Sequence, residues 1–306
     1  MRLLLSYHYF RRVDVSELVG ELEHLSGQSI DIMVDSGAFS AFTLGSVIDL
    51  DAYAEWVRYW GKYFTAYANL DVIGDPRATK DNQRALEAKG LAPLPIFHTG
   101  EPWEYLDGYL EAYPYIMLGG MVPYSKEKKR LMPWLIKCFK KAEGRAVYHG
   151  LGLTSSYSLT TLPWYSVDSS SWAAGVRYGD SDVFDQRLGK MKSLALSDSM
   201  AWQREADVVR ALGFNPADFI DKSRTTRRHI LSIAFASWQA MEDWVRKRMG
   251  VTTMPGSLDT GIKLYLAAGA LSDLRLGSHG VRIYLANSNV GNFKDAAKGI
   301  NREVRV

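Results

Sequence analysis

The chain has 306 residues, 47% of them hydrophobic and 23% charged, which is enough to bury a full core without disulfides or a partner. A formal net charge of +3 makes it mildly basic, which permits nucleic-acid binding without requiring it. Its one cysteine, Cys138, excludes an intramolecular disulfide and a zinc site built from several thiolates. The apolar run at residues 3–5 is too short for a secretory signal or a membrane span. We therefore expect a soluble, cytoplasmic protein that does not bind membranes.

Short apolar segments with strand character alternate with segments whose apolar residues recur every three or four positions. The predicted strands cover residues 2–8, 30–35, 66–73, 94–98, 115–120, 146–150, 165–168 and 281–286. The predicted helices between them cover residues 16–25, 50–63, 79–89, 103–113 and 125–142. This alternation predicts a parallel sheet, and the number of strands predicts an α/β fold, a single (β/α)8 TIM barrel over residues 1–306.

The alternation stops after the seventh predicted strand. Residues 180–271 are predicted to form a mainly helical insertion, or an extension of the last strand-helix unit, that contains helices at residues 200–212 and 230–249. The long helical region in the C-terminal half therefore interrupts the barrel before its eighth strand at residues 281–286.

The predicted insertion carries two clusters of basic residues. The first cluster occupies residues 222–229, and the second occupies residues 246–248. A solvated helix face and a phosphate-contacting surface both explain such clusters. If the clusters contact phosphates, we expect the nucleic-acid contacts to come from the first cluster, at Lys222, Arg224, Arg227 and Arg228.

Residues that can carry chemistry follow six consecutive predicted strands. In a barrel enzyme the carboxyl ends of the strands form the mouth of the active site. The residues at these ends are Asp35 with Ser36 and Gly37, then Asp71 with Asp75, His98, Gly119 with Gly120 and Met121, His149, and Asp168.

Three of these residues are aspartates that would face one mouth. Partial burial and mutual repulsion separate the pKa values of neighbouring carboxyl groups, so that one suits proton transfer and another suits attack on carbon. Retaining exchange at the anomeric carbon of a sugar needs such a pair, with a covalent glycosyl-enzyme between its two halves. The pattern therefore indicates glycosyl transfer.

Each residue also has a simpler interpretation. An aspartate at a strand end can cap the following helix, and Gly119 with Gly120 can form an ordinary tight turn. His98 and His149 can be buried hydrogen-bonding residues without a catalytic part. The coincidence over six consecutive strands favours a site.

The order of these motifs resembles the tRNA-guanine transglycosylase superfamily, and it is most similar to the virus-encoded branch that modifies DNA. The resemblance extends from about residue 32 to residue 172. Its motifs are Asp-Ser-Gly-Ala-Phe from Asp35, an aspartate-bearing third strand, Phe-His-Thr-Gly around His98, Leu-Gly-Gly-Met, Gly-Leu-Gly, and Asp-Ser-Ser-Ser from Asp168. Members of this superfamily are barrels that replace guanine in a nucleic acid with a 7-deazaguanine.

The resemblance assigns a role to each matching residue. Asp168 takes the place of the family's nucleophile, and Asp35 that of its general acid/base. For binding of the base, the matching positions are Ser36 and Gly37 of the same motif, Asp71 for base recognition with Asp75 as the alternative, His98 in place of a glutamine, the backbone of Gly119, Gly120 and Met121, and His149 where an apolar residue often covers the ring. Phe39, Trp172 and Tyr124 are further rings that can stack on a base or belong to the core or rim.

The resemblance implies that the substrates are DNA and a free 7-deazaguanine base of the 7-cyano type, with no cofactor and, if a virus encodes the chain, the cytoplasm of its host as the location. With Cys138 alone, the chain lacks the Cys-x-Cys-x-x-Cys and histidine zinc site of the tRNA enzymes. Three alternatives stay open: the same exchange on tRNA, a barrel lyase or hydrolase acting on a small molecule, and a non-catalytic protein that binds a base.

Overall fold

The computed structural model describes residues 2–27, 29–124, 128–153, 155–173, 175–250, 252, 254–255, 263–264 and 284–286. These residues form a mixed α/β structure whose large sheet is parallel. In the described part of the chain, no helix is long and apolar enough to cross a membrane.

The strands are short and lie at β1 (Arg2–Ser6), β2 (Asp31–Asp35), β3 (Phe64–Tyr67), β4 (Ile96–His98), β5 (Tyr115–Gly119), β6 (Val147–Gly150), β7 (Ser166–Ser169), β8 (Asp180–Asp185), β9 (Lys190–Ala195), β10 (Lys263–Leu264) and β11 (Tyr284–Ala286).

The α-helices lie at α1 (Tyr7–Phe10), α2 (Val15–Ser26), α3 (Ala38–Thr43), α4 (Leu50–Trp60), α5 (Pro76–Ala88), α6 (Trp103–Ala112), α7 (Lys128–Ala142), α8 (Ser156–Leu159), α9 (Gly175–Tyr178), α10 (Ser199–Arg204), α11 (Ala206–Ala211), α12 (Ala217–Ile220) and α13 (Arg227–Met249). Short 3-10 helices lie at Gly61–Tyr63, Val122–Tyr124 and Ser171–Ala173.

The large sheet has the strand order β3-β2-β1-β11-β7-β6-β5-β4, and β10 also pairs with β7. Every strand pair in this sheet is parallel. An isolated parallel bridge between Ala68 and Leu94 joins the segments that follow β3 and precede β4. Each of the eight predicted strands overlaps a strand of this sheet, so the prediction of a parallel α/β fold is confirmed.

Both faces of the sheet are buried, which explains why its strands appear as nearly continuous apolar runs in the sequence. Along β1, Leu3 and Leu5 belong to the large core between the sheet and the helices. Leu4 points to the other face and belongs to a second cluster. This second cluster also takes buried side chains from or next to β2 to β7, namely Met33, Ala68, Ile96, Tyr115, Met117, Val147 and Tyr165.

The segment predicted as a helical insertion begins instead with an antiparallel hairpin of β8 and β9. The strands hold several polar residues, such as Asp182 and Lys192, and lack the long apolar run that signals a strand. Gly189 in the turn has a φ of 62°, which favours glycine. Helices α10 to α13 follow, as expected for the rest of the insertion. The predicted strand residues 281–283, and residues 256–262 and 265–271 of the predicted insertion, lie outside the described residues.

The long helix α13 runs back along the sheet, from the carboxyl ends of the strands toward the amino ends. Near its start, Phe235 packs edge-on against Trp172, which follows β7, with ring centroids 6.1 Å apart. Further along, Glu242 lies at the opposite end, where its Oε1 is 3.5 Å from Nη1 of Arg2 at the start of β1. At 1.5 Å per residue, a helix of 23 residues spans about 34 Å. The two basic clusters therefore lie at opposite ends of the helix.

We predict that Trp172→Ala lowers the free energy of unfolding by roughly 3–5 kcal/mol, because the ring is 1% exposed and its removal leaves a cavity against α13. Tyr178→Ala is the control, since that ring is 77% exposed. Urea unfolding followed by tryptophan fluorescence and circular dichroism measures both. A loss below about 1 kcal/mol for Trp172→Ala would contradict this packing.

Candidate active site

A cavity of about 760 Å³ opens at the carboxyl ends of the parallel strands. This is where open and closed parallel sheets place their ligands. The sequence-predicted site residues that line it are Asp35, Asp71, His98, Gly119, Gly120 and Asp168. These residues come from five strand ends, far apart in the sequence, and share one cavity.

Asp35 ends β2, in register with Ser6 at the end of β1. Burial, together with the negative charges of Asp71 and Asp168, raises the pKa of Asp35 to about 7, although the backbone amides of Ser36 and Gly37 act in the opposite direction. A carboxyl group with this pKa is partly protonated at neutral pH. It can therefore give a proton to a ligand and take one back.

Asp71 is buried and is held by two neighbours. The hydroxyl of Ser36 donates to its Oδ1 over 3.0 Å, and Nε2 of His98 lies 3.1 Å from its Oδ2. An ionised carboxylate has about four acceptor positions, so these two bonds leave room to accept from a ligand. Asp71 is therefore suited to binding the edge of a base that presents N–H groups.

His98 lies between two carboxylates. Its Nε2 faces Asp71, and its Nδ1 is 2.9 Å from Oε1 of Glu101. The other carboxylate oxygen of Glu101 accepts from the backbone N–H of His98 over 3.0 Å. Burial lowers the pKa of His98, but the hydrogen bonds and charges of Asp71 and Glu101 outweigh it and raise this pKa to about 9. The ring is therefore an imidazolium at neutral pH and donates to both carboxylates.

Glu101 also lines the cavity and was not among the sequence-predicted residues. The signal for it was a carboxylate three residues after a histidine at a strand end. Because Glu101 occupies Nδ1 of His98 and Asp71 occupies Nε2, His98 acts on Asp71 and does not offer a free N–H to a ligand in this arrangement. The sequence predicted that His98 contacts the base directly, as a glutamine would. The hydrogen bonds indicate instead that His98 positions Asp71.

Asp168 is held on one side only. Its Oδ1 accepts from the backbone N–H of Gly152 over 2.8 Å and lies 3.2 Å from Nε2 of His149. Among the described residues, no hydrogen bond reaches its Oδ2. Asp168 lines the cavity, so one oxygen is fixed by the protein and the other is available to a ligand.

His149 is fully buried and does not line the cavity. Its Nδ1 lies 2.7 Å from the hydroxyl of Ser166, which in turn is hydrogen-bonded to the hydroxyl of Tyr115. The structure therefore places the ring of His149 behind Asp168, where it supports the carboxylate, and not in the cavity lining where a base contact was expected.

The glycines at the mouth are required by close packing. A Cβ on Gly119 would stand 2.7 Å from Cδ2 of His98. Gly120 has a φ of 71°, and a Cβ there would stand 2.7 Å from Oγ1 of Thr99. The hydroxyl of Thr99 donates to the carbonyl of Gly120 over 2.7 Å, which fixes the turn. These glycines give a ligand direct access to the backbone.

Besides His149, four predicted base-binding residues lie outside the cavity lining. Asp75 is exposed and caps α5 by accepting from the backbone N–H of Ala78 over 2.9 Å. The side chain of Met121 is buried in the large core. Ser36 is fully buried behind Asp71, and Gly37 forms the left-handed turn before α3. Of the two carboxylates considered for base recognition, only Asp71 lines the cavity.

The rings proposed for stacking have different surroundings. Trp172 is buried against Phe235 and does not line the cavity, so it is a core residue. Tyr124 lies under the guanidinium of Arg130, 4.4 Å from it, and is absent from the cavity lining. Phe39 lines the cavity and is largely exposed.

The predicted nucleic-acid contacts lie at and before the start of α13, the end of this helix that is near the carboxyl ends of the strands. Lys222 and Arg227 are exposed, and Arg224 forms an ion pair of 2.7 Å with Asp218. None of them lines the cavity. Arg177 in α9, which no sequence pattern singled out, does line it.

The described residues contain no group of three or more histidine, cysteine and acidic side chains placed to hold a metal ion. Cys138 is buried in the core, and burial raises the pKa of its thiol.

The sequence matches no family model, and neither a curated protein nor a solved structure matches the chain significantly.

We predict that Asp35→Asn stabilises the protein in a pH-dependent way. Asp35 has a pKa near 7 in the folded state and an ordinary value near 3.8 when unfolded, so it favours folding fully below about pH 4 and loses this contribution as pH rises to 7. The gain for the variant should therefore appear between pH 4 and 7, reach roughly 2–4 kcal/mol, and stay constant at higher pH. Urea unfolding at each pH measures it, with Asp75→Asn as the control. A gain that does not change with pH would show that Asp35 titrates normally.

Proposed function

We propose that this protein exchanges guanine in DNA for a free 7-deazaguanine base, through a covalent bond between an aspartate and the sugar. The observation that carries the proposal is the division of roles among carboxylates in one cavity. Asp35 is a carboxyl group whose pKa lets it give and take a proton, and Asp168 presents one oxygen to which no described residue donates a hydrogen bond. Glycosyl exchange with retention needs these two groups.

We also propose that the parallel sheet is a closed (β/α)8 barrel. In support, the strand order contains eight strands, of which β11 is the last in the sequence, and the isolated Ala68–Leu94 bridge lies between the segments next to its two end strands, β3 and β4. The second apolar cluster, which draws side chains from or next to β1 to β7, fits the filled interior of a barrel. In this arrangement the cavity lies at the mouth of the barrel.

In the first half of the reaction, Oδ2 of Asp168 attacks C1′ of the target nucleoside. The bond between C1′ and N9 of guanine breaks, and its electron pair goes to the base. Asp35 in its protonated form supplies the proton that makes guanine a neutral leaving group. Gly152 and His149 keep Oδ1 of Asp168 occupied, so that the attacking oxygen is defined.

In the second half, a 7-deazaguanine replaces guanine in the cavity. Asp35, now ionised, takes the proton from N9 of the incoming base, and N9 attacks C1′. The bond from C1′ to Asp168 breaks, and the carboxylate is restored. Atoms, charge and electrons balance without an oxidant or reductant, and both enzyme groups return to their initial states.

Asp71 is proposed to recognise the base. Guanine and 7-deazaguanine present neighbouring N–H donors at N1 and the 2-amino group, and a carboxylate accepts from both. Adenine presents an unprotonated N1 at the same position and would leave a buried acceptor unpaired. The bonds from Ser36 and His98 fix the direction of Asp71 for this role.

The direct test is incubation of the purified protein with double-stranded DNA, single-stranded DNA and tRNA, each with 7-cyano-7-deazaguanine or 7-aminomethyl-7-deazaguanine. Nucleosides are then measured by mass spectrometry. We expect a modified deoxynucleoside. A modified ribonucleoside from tRNA alone would transfer the proposal to tRNA, and no product from any polymer would reject base exchange.

We predict that Asp168→Asn reduces the exchange rate by at least a thousandfold while leaving the fold intact, because an amide is a far weaker nucleophile than a carboxylate. Asp75→Asn is a matched control on the same side of the sheet that caps a helix outside the cavity. It should retain exchange and lose at most about 1 kcal/mol of stability. Exchange by Asp168→Asn at a rate near that of the unchanged protein would reject Asp168 as the nucleophile.

We predict that replacing Arg227 and Arg228 by alanine weakens DNA binding and reduces its dependence on salt. Each lost phosphate contact lowers the slope of log affinity against log salt by about 0.9 for duplex DNA. Replacement of Lys247 and Arg248 at the opposite end of α13 is the control and should leave the slope unchanged. Fluorescence anisotropy over a range of salt concentrations measures both. Equal slopes for the two double variants would remove the start of α13 from the DNA-binding surface.

A further inference from the structure

Helix α3 buries its small apolar side chains and exposes its large ones. Its small residues, Ala38 and Ala41, face the core and are 8% and 3% exposed. Its large rings, Phe39 and Phe42, are 60% and 64% exposed. They are three positions apart and therefore neighbours on one helix face. An ordinary amphipathic helix buries the phenylalanines and exposes small or polar residues, so this face is not explained by folding.

The exposed rings begin at the cavity and extend away from it. Phe39 lines the cavity, and Phe42 lies on the next turn of α3, outside the lining. Tyr9 of α1 also lines the cavity, and α1 packs beside α3. The two helices approach closely at Gly37, where a Cβ would stand 2.5 Å from Cβ of His8. Tyr9, Phe39 and Phe42 are called the aromatic rim below.

Positive charge lies next to the aromatic rim. Arg11 and Arg12 follow α1 directly, and both are exposed. Neither forms an ion pair with any residue in the described ranges. Exposed rings beside unpaired guanidinium groups are the combination that binds single-stranded nucleic acid, because the rings stack on bases and the cations contact phosphates.

We propose that the aromatic rim, with Arg11 and Arg12, binds the unpaired nucleotides that flank the target, so that the protein prefers single-stranded DNA to duplex DNA. This inference rests on the proposed function, which places the target nucleotide in the cavity. A base next to it in the strand emerges beside Phe39, and the following base reaches Phe42. In a duplex the faces of these bases are covered by their neighbours and cannot stack on the rings.

A second copy of this chain is a poorer occupant for the aromatic rim. Two-fold pairing places the same surface of each copy against the other. The exposed Arg11 and Arg12 of one copy would then face the same cations of the other. Nucleic acid supplies the opposite charge together with flat apolar faces, which matches both components of the surface.

The test is fluorescence anisotropy with a labelled single-stranded oligodeoxynucleotide and with the same sequence as a duplex, without any free base. We expect Phe42→Ala to weaken binding of the single strand roughly tenfold and binding of the duplex by less than twofold. Phe42→Trp should restore the affinity, since a larger ring stacks at least as well. Phe42→Leu should not, since it is apolar but has no ring.

Tyr59→Ala is the matched control, because this ring of α4 is also exposed and lies near the amino ends of the strands. It should leave both affinities unchanged. All variants should keep the melting temperature of the unchanged protein, since the rings removed are mostly in solvent.

The inference is overturned if Phe42→Ala binds the single strand as tightly as the unchanged protein, or if the affinities for single strand and duplex fall equally. It is also overturned if sedimentation shows a dimer that Phe42→Ala dissociates, since the surface would then be a contact between copies. The binding assay contains no exchange step. Loss of single-strand binding without base exchange by the unchanged protein would reject the proposed function alone, and exchange without an effect of Phe42→Ala would reject this inference alone.

Discussion

Three aspartates share one cavity in this protein, and the arrangement of the surrounding residues depends on the repulsion among their carboxyl groups. Two of them are held by hydrogen bonds from the protein: Asp71 by Ser36 and the cationic His98, and Asp168 by the backbone amide of Gly152, with His149 close by. Asp35 has no such partner strong enough to offset burial and the two neighbouring charges, so its pKa rises to about 7. The repulsion is therefore relieved by a proton on one group, and that proton is the one that the proposed base exchange needs.

The parallel sheet is what brings these groups together. Its strands end at one edge, so residues separated by more than a hundred positions share the cavity, and the buried faces of the strands hold them rigidly. Supporting residues lie behind them. Glu101 fixes the ring of His98, and Ser166 fixes the ring of His149. Such supports limit the positions that Asp71 and Asp168 can adopt, which is what a site needs to bind a transition state.

Most of the sheet was predictable because buried parallel strands give apolar runs. The carboxylates were predictable because they directly follow these runs. The direction in which a single side chain points could not be predicted in this way. His149 supports Asp168 because of a hydroxyl seventeen positions further on, and the burial of Ala41 beside the exposed Phe42 reverses what hydrophobicity alone predicts. The sequence could not decide between Asp71 and Asp75 because the apolar run did not show where β3 ends. The strand ends at Tyr67, earlier than the run indicated, and this places Asp71 at the cavity. The hairpin of β8 and β9 escaped prediction because its strands are polar.

The most direct test of the account is capture of the proposed bond between Asp168 and the sugar. The protein is incubated with DNA in the absence of any free 7-deazaguanine, denatured rapidly, and digested with protease and nuclease before mass spectrometry. The account predicts a peptide containing Asp168 that carries a deoxyribose fragment attached through C1′ after loss of guanine, and no such product from Asp168→Asn. A sugar adduct on a peptide containing Asp35 or Asp71 instead, or release of guanine by Asp168→Asn at an unchanged rate, would contradict it.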